Sequence, residues 1–197
     1  NWFWKSITVK PVIKSKIRKK ILEIRKKKNN KNIKFSFLKV FNEIIKNISK
    51  KKIVGGYYPV NFEIDILEIL EKLETKGLQL CLPVVKKDNE MDFYSWSTKN
   101  LLKLNQYGIP EPEQIKKVFP DIILVPLVAF DSRLYRIGYG GGYYDRYIQK
   151  LSSKKNLLKI GIAHSCQKIN RVPTNKYDKK LDIIITEKYV LRWKFFF

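Results

Sequence analysis

Several residue types that usually announce a chemistry are scarce in this chain. Two cysteines, Cys81 and Cys166, are too few for a disulfide framework or a thiolate metal cluster. A single histidine, His164, leaves zinc chemistry almost without ligands. No stretch approaches the roughly 18 to 20 continuous apolar residues of a membrane span, and Asn1–Ser6 lacks the apolar core of a secretory signal, so the cytoplasm is the expected location. Acid is also short, with 18 Asp and Glu against 41 Lys and Arg and a net charge of +23. Residues 1–52 carry 18 Lys and Arg against Glu23 and Glu43, which concentrates +16 in the N-terminal quarter. Such charge attracts phosphates, yet no nucleic-acid-binding motif accompanies it and no arginine–aromatic interleaving suits single strands. A composition rich in Lys, Asn and Ile is also what bias in the encoding genome produces.

What the chain does have is one dense turn. Arg136-Ile137-Gly138-Tyr139-Gly140-Gly141-Gly142-Tyr143-Tyr144-Asp145-Arg146 holds four of the nine glycines. Glycine admits positive φ and lets peptide N–H groups approach an anion. The apolar run 121–130 reads as a buried strand and 143–151 as a helix, so the turn sits just before a helix N-terminus, where the helix dipole favours a phosphate. Asp145 in the first helical turn is placed to hold a metal ion on such a phosphate. Neither G-x-x-x-x-G-K-[ST] nor G-x-G-x-x-G is present. Read from the glycines alone, a tight chain reversal is an equal alternative.

The remaining pattern alternates strands and helices. Ile13, Ile17, Ile21 and Ile24 predict an amphipathic helix over about 13–28. Lys14, Arg18 and Arg25 fall within an arc of roughly 40° on it, either as a solvated face or converging on one anion. A second helix is expected over 37–48, a strand over 53–58 ended by Pro59, and a helix over 63–76 capped by Gly77. Further strands are expected over 78–85, 91–96, 157–163 and 181–186, with 104–112 as an irregular loop because of its prolines and glycine. Crossover connections between such strands imply an α/β three-layer αβα sandwich with a mostly parallel sheet, Rossmann-like, in a single domain. Ligands collect at the carboxyl ends of its strands. Residues 1–12 and 192–197 are expected as poorly ordered extensions.

Val125–Asp131 together with Tyr135–Arg146 resembles the signature of the 5-formyltetrahydrofolate cyclo-ligases, also called methenyltetrahydrofolate synthetases. Lys14-Ser15-Lys16-Ile17-Arg18 resembles that family's N-terminal basic motif. Tyr58-Pro59 with Glu63-Ile64-Asp65 resembles its substrate segment, and Pro173, Asp178, Leu181, Asp182, Thr186 and Glu187 its C-terminal motif. The resemblance implies ATP-dependent conversion of 5-formyltetrahydrofolate, with or without a polyglutamate tail, to 5,10-methenyltetrahydrofolate. ADP and phosphate are released, magnesium is the cofactor, and a monomer is expected. It further implies ATP binding by Lys14, Ser15, Lys16, Ile17 and Arg18 and by Arg136, Ile137, Gly138, Tyr139, Gly140, Gly141, Gly142, Tyr143 and Tyr144. Folate contacts are implied for Tyr58, Glu63, Tyr107 and Tyr139 to Tyr143, magnesium ligation for Asp145 and Asp178, and direct roles in catalysis for Arg136, Tyr143 and Asp145. Tyr139, Gly141 and Tyr177 stand where many relatives carry basic residues or a histidine. Each carboxylate alone reads equally as a helix cap or a surface charge, and Tyr58 as a strand-end aromatic. A basic nucleic-acid binder and a nucleotide-binding relative without turnover remain the alternatives.

Overall fold

Strands buried on both faces need apolar side chains at every position, and the runs Leu80–Val84 and Ile122–Val125 supply them. The computed structural model describes residues 2–29, 40, 42–44 and 52–192, with side chains described for all of these except 2–10, 29 and 88. Its helices are α1 (Trp2–Asn29), α2 (Leu67–Thr75) and α3 (Tyr143–Ser152). The strands are β1 (Ile53–Gly55), β2 (Gln79–Val85), β3 (Met91–Trp96), β4 (Lys103–Leu104), β5 (Pro110–Glu111), β6 (Lys117–Val118), β7 (Ile122–Pro126), β8 (Ala129–Phe130), β9 (Arg136–Ile137), β10 (Leu158–Ile162), β11 (Ile183–Ile185) and β12 (Val190–Arg192).

Eight strands form the central sheet in the order β12-β11-β10-β7-β1-β2-β3-β6. The inner five, β11 to β2, run parallel, and β12, β3 and β6 pair antiparallel at the margins. Alternation along each strand divides the core into two layers. Val54, Leu80, Leu82, Ile122, Leu124, Ile160 and Ile162 face α2 through Ile69, Leu70 and Leu73. Cys81, Phe93, Ile123, Val125 and Ile184 face α3 through Tyr147, Ile148 and Leu151. This is the three-layer α/β architecture that the strand and helix pattern predicts.

Three departures shape the site. The run 121–130 is not one strand: Pro126 closes β7, and the chain leaves the sheet to form a ribbon of β8 with β9. The helix expected from residue 63 starts at Leu67, because Asn61 and Phe62 take left-handed φ values of 49° and 61° and fold Val60–Glu63 into a turn. Residues 104–112 are not irregular, since Lys103–Leu104 pairs with Pro110–Glu111 around a turn in which Asn105 Oδ1 accepts the N–H groups of Tyr107 and Ile109. At the ends, α1 runs N-terminally through Pro11 to Trp2, and Arg192 belongs to β12. Most of the expected helix over 37–48 lies outside the described residues; Val40 and Asn42–Ile44 are helical, and Val40 and Ile44 are fully buried against the α2 side.

Gly55 lies against the α3-side layer of the core, between Phe93 and Ile123. A Cβ there would lie 2.7 Å from Phe93 Cε1 and 3.1 Å from Ile123 Cγ2, and a ring locked between strands has little room to retreat. Gly55→Ala should therefore destabilise by about 1–3 kcal/mol, the usual cost of overpacking. Urea unfolding with an unchanged slope and a lowered midpoint is the expected reading; an unchanged midpoint would show that the ring yields freely.

Candidate active site

A cleft of about 2060 Å³ opens over the carboxyl ends of β1, β2 and β7. Five segments wall it: α1, the turn after β1, the β4–β5 ribbon, the glycine turn with the start of α3, and Asn175–Asp178. Helix α1 reaches it because Ile21, with Ile17 beside it, packs on Val128, Ala129 and Ile137 of the ribbon that Pro126 releases from the sheet.

The glycine turn forms one end. Gly140 and Gly142 have φ of +116° and +68°, and Gly142 directly precedes α3 with no side chain capping the helix. Its free N–H groups and positive dipole end suit an anion. Arg18 Nε donates to Gly138 O at 2.7 Å and its guanidinium lies under Gly140. Burial lowers the pKa of that guanidinium from its ordinary value. Arg136 is held beside Asp145, 3.2 Å from Oδ1, and donates to Lys179 O at 2.9 Å. Asp145 Oδ1 also accepts Lys179 N–H at 2.9 Å. Asp178 receives Lys14 Nζ on both oxygens, at 2.8 and 2.7 Å, and Asn175 N–H at 2.7 Å. Both carboxylates line the cleft, tied through the backbone step from Asp178 to Lys179. They are hard oxygen donors of the kind magnesium takes. Among the described residues no group of three His, Cys, Asp or Glu could hold a metal alone, so an ion here fits only if a bound ligand contributes further oxygens.

The other end is aromatic and carries buried acid. Glu63 Oε2 accepts Val60 N–H at 2.9 Å, while Oε1 is buried without a partner. Burial raises the Glu63 pKa above the ordinary carboxylate value; the Val60 N–H, the Tyr139 hydroxyl and the Arg25 charge pull it back. Tyr58 lines the same wall. Tyr144 keeps its hydroxyl buried and unpartnered, and burial pushes that phenol's pKa well up. Tyr107, 60% exposed, stands at the tip of the β4–β5 turn beside Tyr143, whose pKa is raised by burial first and then by Tyr107.

Of the residues singled out in the sequence, Lys14, Arg18, Tyr58, Glu63, Tyr107, Arg136 to Tyr144, Asp145 and Asp178 all line this cleft. Ser15 and Lys16 are exposed on α1 away from it, and Ile17 packs in the apolar contact with the ribbon. The sequence left the role of Arg25 open between a solvated face and an anion contact, and did not single out Glu111. Arg25 is 1% exposed and bonds Tyr139 and Asn61; its position on the Lys14–Arg18 stripe was the available signal. Glu111, between two prolines, lines the cleft with Oε2 buried and unpartnered. An acid inside so apolar a segment was its only mark.

A glycine turn at a helix N-terminus, bordered by cations and two carboxylates at the carboxyl ends of an α/β sheet, has the chemistry that suits an anionic ligand and places the chain among α/β enzymes with such a cleft. The chain is more specific than that: residues 11–187 match the model of the 5-formyltetrahydrofolate cyclo-ligase family, and the chain belongs to that family. It is 32% identical over 147 residues to the 5-formyltetrahydrofolate cyclo-ligase of Escherichia coli K12, covering 71% of this chain and 80% of that one. Its likeness to the Mycoplasma pneumoniae enzyme of the same name is 30% over 179 residues, covering 89% and 99%. Among solved structures, the 5,10-methenyltetrahydrofolate synthetase of Aquifex aeolicus superposes with a TM-score of 0.70 at 33% identity, covering 91% and 92% of the two chains.

The raised Glu63 pKa has a stability consequence. A buried acid with its pKa above the unfolded value of 4.5 stabilises the fold below that pH, and the contribution is lost as pH rises through the folded value. Glu63→Gln, neutral throughout, should therefore gain in Tm relative to the parent as pH is raised from 5 to 8. Parallel Tm curves across that range would show that Glu63 carries no such penalty.

Proposed function

We propose that this chain converts 5-formyltetrahydrofolate to 5,10-methenyltetrahydrofolate with ATP and magnesium, releasing ADP and phosphate. The observation that carries the proposal is the single cleft that joins the cation-ringed glycine turn to the buried Glu63 wall. One end suits a triphosphate and the other a flat, N–H-rich ring, as the chemistry requires.

The formyl oxygen on N5 is amide-like and a poor leaving group. Its attack on the γ-phosphorus, with departure of ADP, makes it a phosphate ester. N10 then attacks the formyl carbon, the C–O bond breaks, phosphate leaves with that oxygen, and loss of the N10 proton gives the methenyl bridge. Nothing in this sequence needs a protein nucleophile; it needs alignment and charge neutralisation. Lys14, Arg18 and Arg136 are the cations for the phosphates, with the α3 N-terminus beneath them. Lys14 and Arg136 must give up Asp178 and Asp145 to reach the ligand, which frees both carboxylates in the same step. Asp145 and Asp178 would hold magnesium, which when bound offsets negative charge on the phosphate oxygens. Glu63 accepts the pterin N–H donors with Oε1, the oxygen that lacks a partner. Tyr58, Tyr107 and Tyr143 supply aromatic faces for the folate ring. No helix among the described residues is long and apolar enough to cross a membrane. A cytoplasmic monomer working on soluble substrates is the form we assign.

The test is the absorbance of methenyltetrahydrofolate formed from 5-formyltetrahydrofolate, ATP and magnesium. Absence of product with intact ATP binding would identify a nucleotide-binding relative, and steeply salt-dependent nucleic-acid binding without product would identify the basic surface as the functional one. Asp145→Asn should lower turnover at least ~10²-fold with folding intact. Lys14→Ala and Arg18→Ala should each weaken ATP roughly tenfold to a hundredfold, and folate far less, because charge-assisted contacts to phosphate are lost. Equal losses for both ligands would place those side chains in the support of α1 instead.

A further inference from the structure

Arg25 is a buried charge whose neighbours do not explain it as packing. It is 1% exposed, and among the described residues no carboxylate lies within ion-pair distance of its guanidinium. Burying an unpaired cation is costly unless its hydrogen bonds are well made. The Nη atoms of Arg25 donate to three separate segments, Leu127 O at 3.2 Å after β7, Asn61 O at 2.6 Å in the left-handed turn before Glu63, and Tyr139 Oη at 2.5 Å in the glycine turn, while Nε is buried without a partner. It also lies 5.8 Å from the Tyr139 ring centroid. Asn61 and Phe62, at φ 49° and 61°, occupy backbone conformations unusual for residues other than glycine, and the bond to Asn61 O holds that turn.

We propose that Arg25 is a positioning residue for the folate substrate, clamping the 61–63 turn and Tyr139 around the Glu63 carboxylate and giving that carboxylate the positive charge it otherwise lacks. The proposal rests on the reading of Glu63 as the pterin acceptor. The ionisable groups facing Glu63 are Arg25 from α1, Tyr139 from the glycine turn, Tyr144 from α3 and Tyr57 after β1. Of these, Arg25 is the cation. The cations on the glycine turn, by contrast, belong to the nucleotide end, so losing Arg25 should separate the two substrates.

Arg25→Met should raise KM for 5-formyltetrahydrofolate at least ~10-fold with KM for ATP within about twofold, the loss expected of a charge-assisted contact network. The acidic limb of kcat/KM for folate should move to higher pH, because the neutral form of Glu63 gains when the cation goes. In a Glu63→Gln background the same substitution should move no limb. The Glu63 carboxyl carbon, followed by NMR in 13C-labelled protein, gives a readout independent of turnover, and its titration midpoint should rise. Tyr139→Phe, which leaves the core untouched, should shift that midpoint in the same direction and serves if Arg25→Met does not fold. An unmoved Glu63 midpoint in the folded variants, or equal losses of folate and ATP with a fall in Tm, would overturn the proposal and leave Arg25 as a structural clamp. Failure of the parent protein to make product would sink the proposed reaction while the NMR midpoint still decides whether Arg25 governs Glu63.

Discussion

The contact between α1 and the β8–β9 ribbon governs where Lys14, Arg18 and Arg25 go. Ile21 and Ile17 bury against Val128, Ala129 and Ile137, surfaces that exist only because Pro126 ends β7 and turns the chain out of the sheet. The helix period then does the rest: with Ile17 and Ile21 inward, Lys14, Arg18 and Arg25 meet Asp178, Gly138 and Tyr139 in turn along a single stripe. The glycine turn follows directly from β9, so the same ribbon carries both the α1 cations and that turn. A hydrophobic contact thus sets electrostatic geometry, and a slip of the helix by one residue would rotate all three cations by about 100°.

Those cations and carboxylates also satisfy one another before any ligand arrives. Lys14 with Asp178 and Arg136 with Asp145 are partly buried pairs, where a lone charge would be expensive. A polyanion that brings its own divalent ion can replace both pairings together, each cation moving to phosphate and each carboxylate to metal. Either one alone would strand half of the set. In the proposed reaction the arrangement would therefore favour a metal–nucleotide complex over free nucleotide, by the ordinary logic that specificity lies in what the wrong ligand leaves unpaired.

How legible the chain was depended on whether the signal was local. Met91–Trp96 was readable to the residue, and the alternation through β2, β7, β10 and β11 was enough for a covered parallel sheet. The glycine turn, Asp145 and Glu63 stood out by composition and by resemblance, and the cleft gathers them. What stayed hidden was made by distant partners. The left-handed Asn61 and Phe62 are held by Arg25, 36 residues away, so propensity gave a helix start that tertiary bonding overrides. Arg25 shared a stripe with Lys14 and Arg18, but periodicity cannot distinguish a solvated arginine from one sealed under Tyr139. In the β4–β5 ribbon, prolines suggested disorder of pattern, whereas an edge ribbon tolerates proline because the missing N–H faces outward.

Among the described residues, buried polar side-chain atoms without partners occur both in the core and at the cleft. Glu63 Oε1, Glu111 Oε2 and the Tyr144 hydroxyl all belong to residues that line the cleft, and each costs the free protein stability that a folded chain normally recovers with a hydrogen bond. Leaving them open is destabilising only until a ligand with matching donors enters. Binding to the folded state alone then adds stability that grows with ligand concentration over Kd, reaching about 2.7 kcal/mol at a hundredfold excess. The same three atoms that weaken the empty protein would thus select, from a crowded pool of flat aromatic molecules, the one whose N–H and O–H groups meet them, since a ring lacking those donors leaves the acids buried and unpaired.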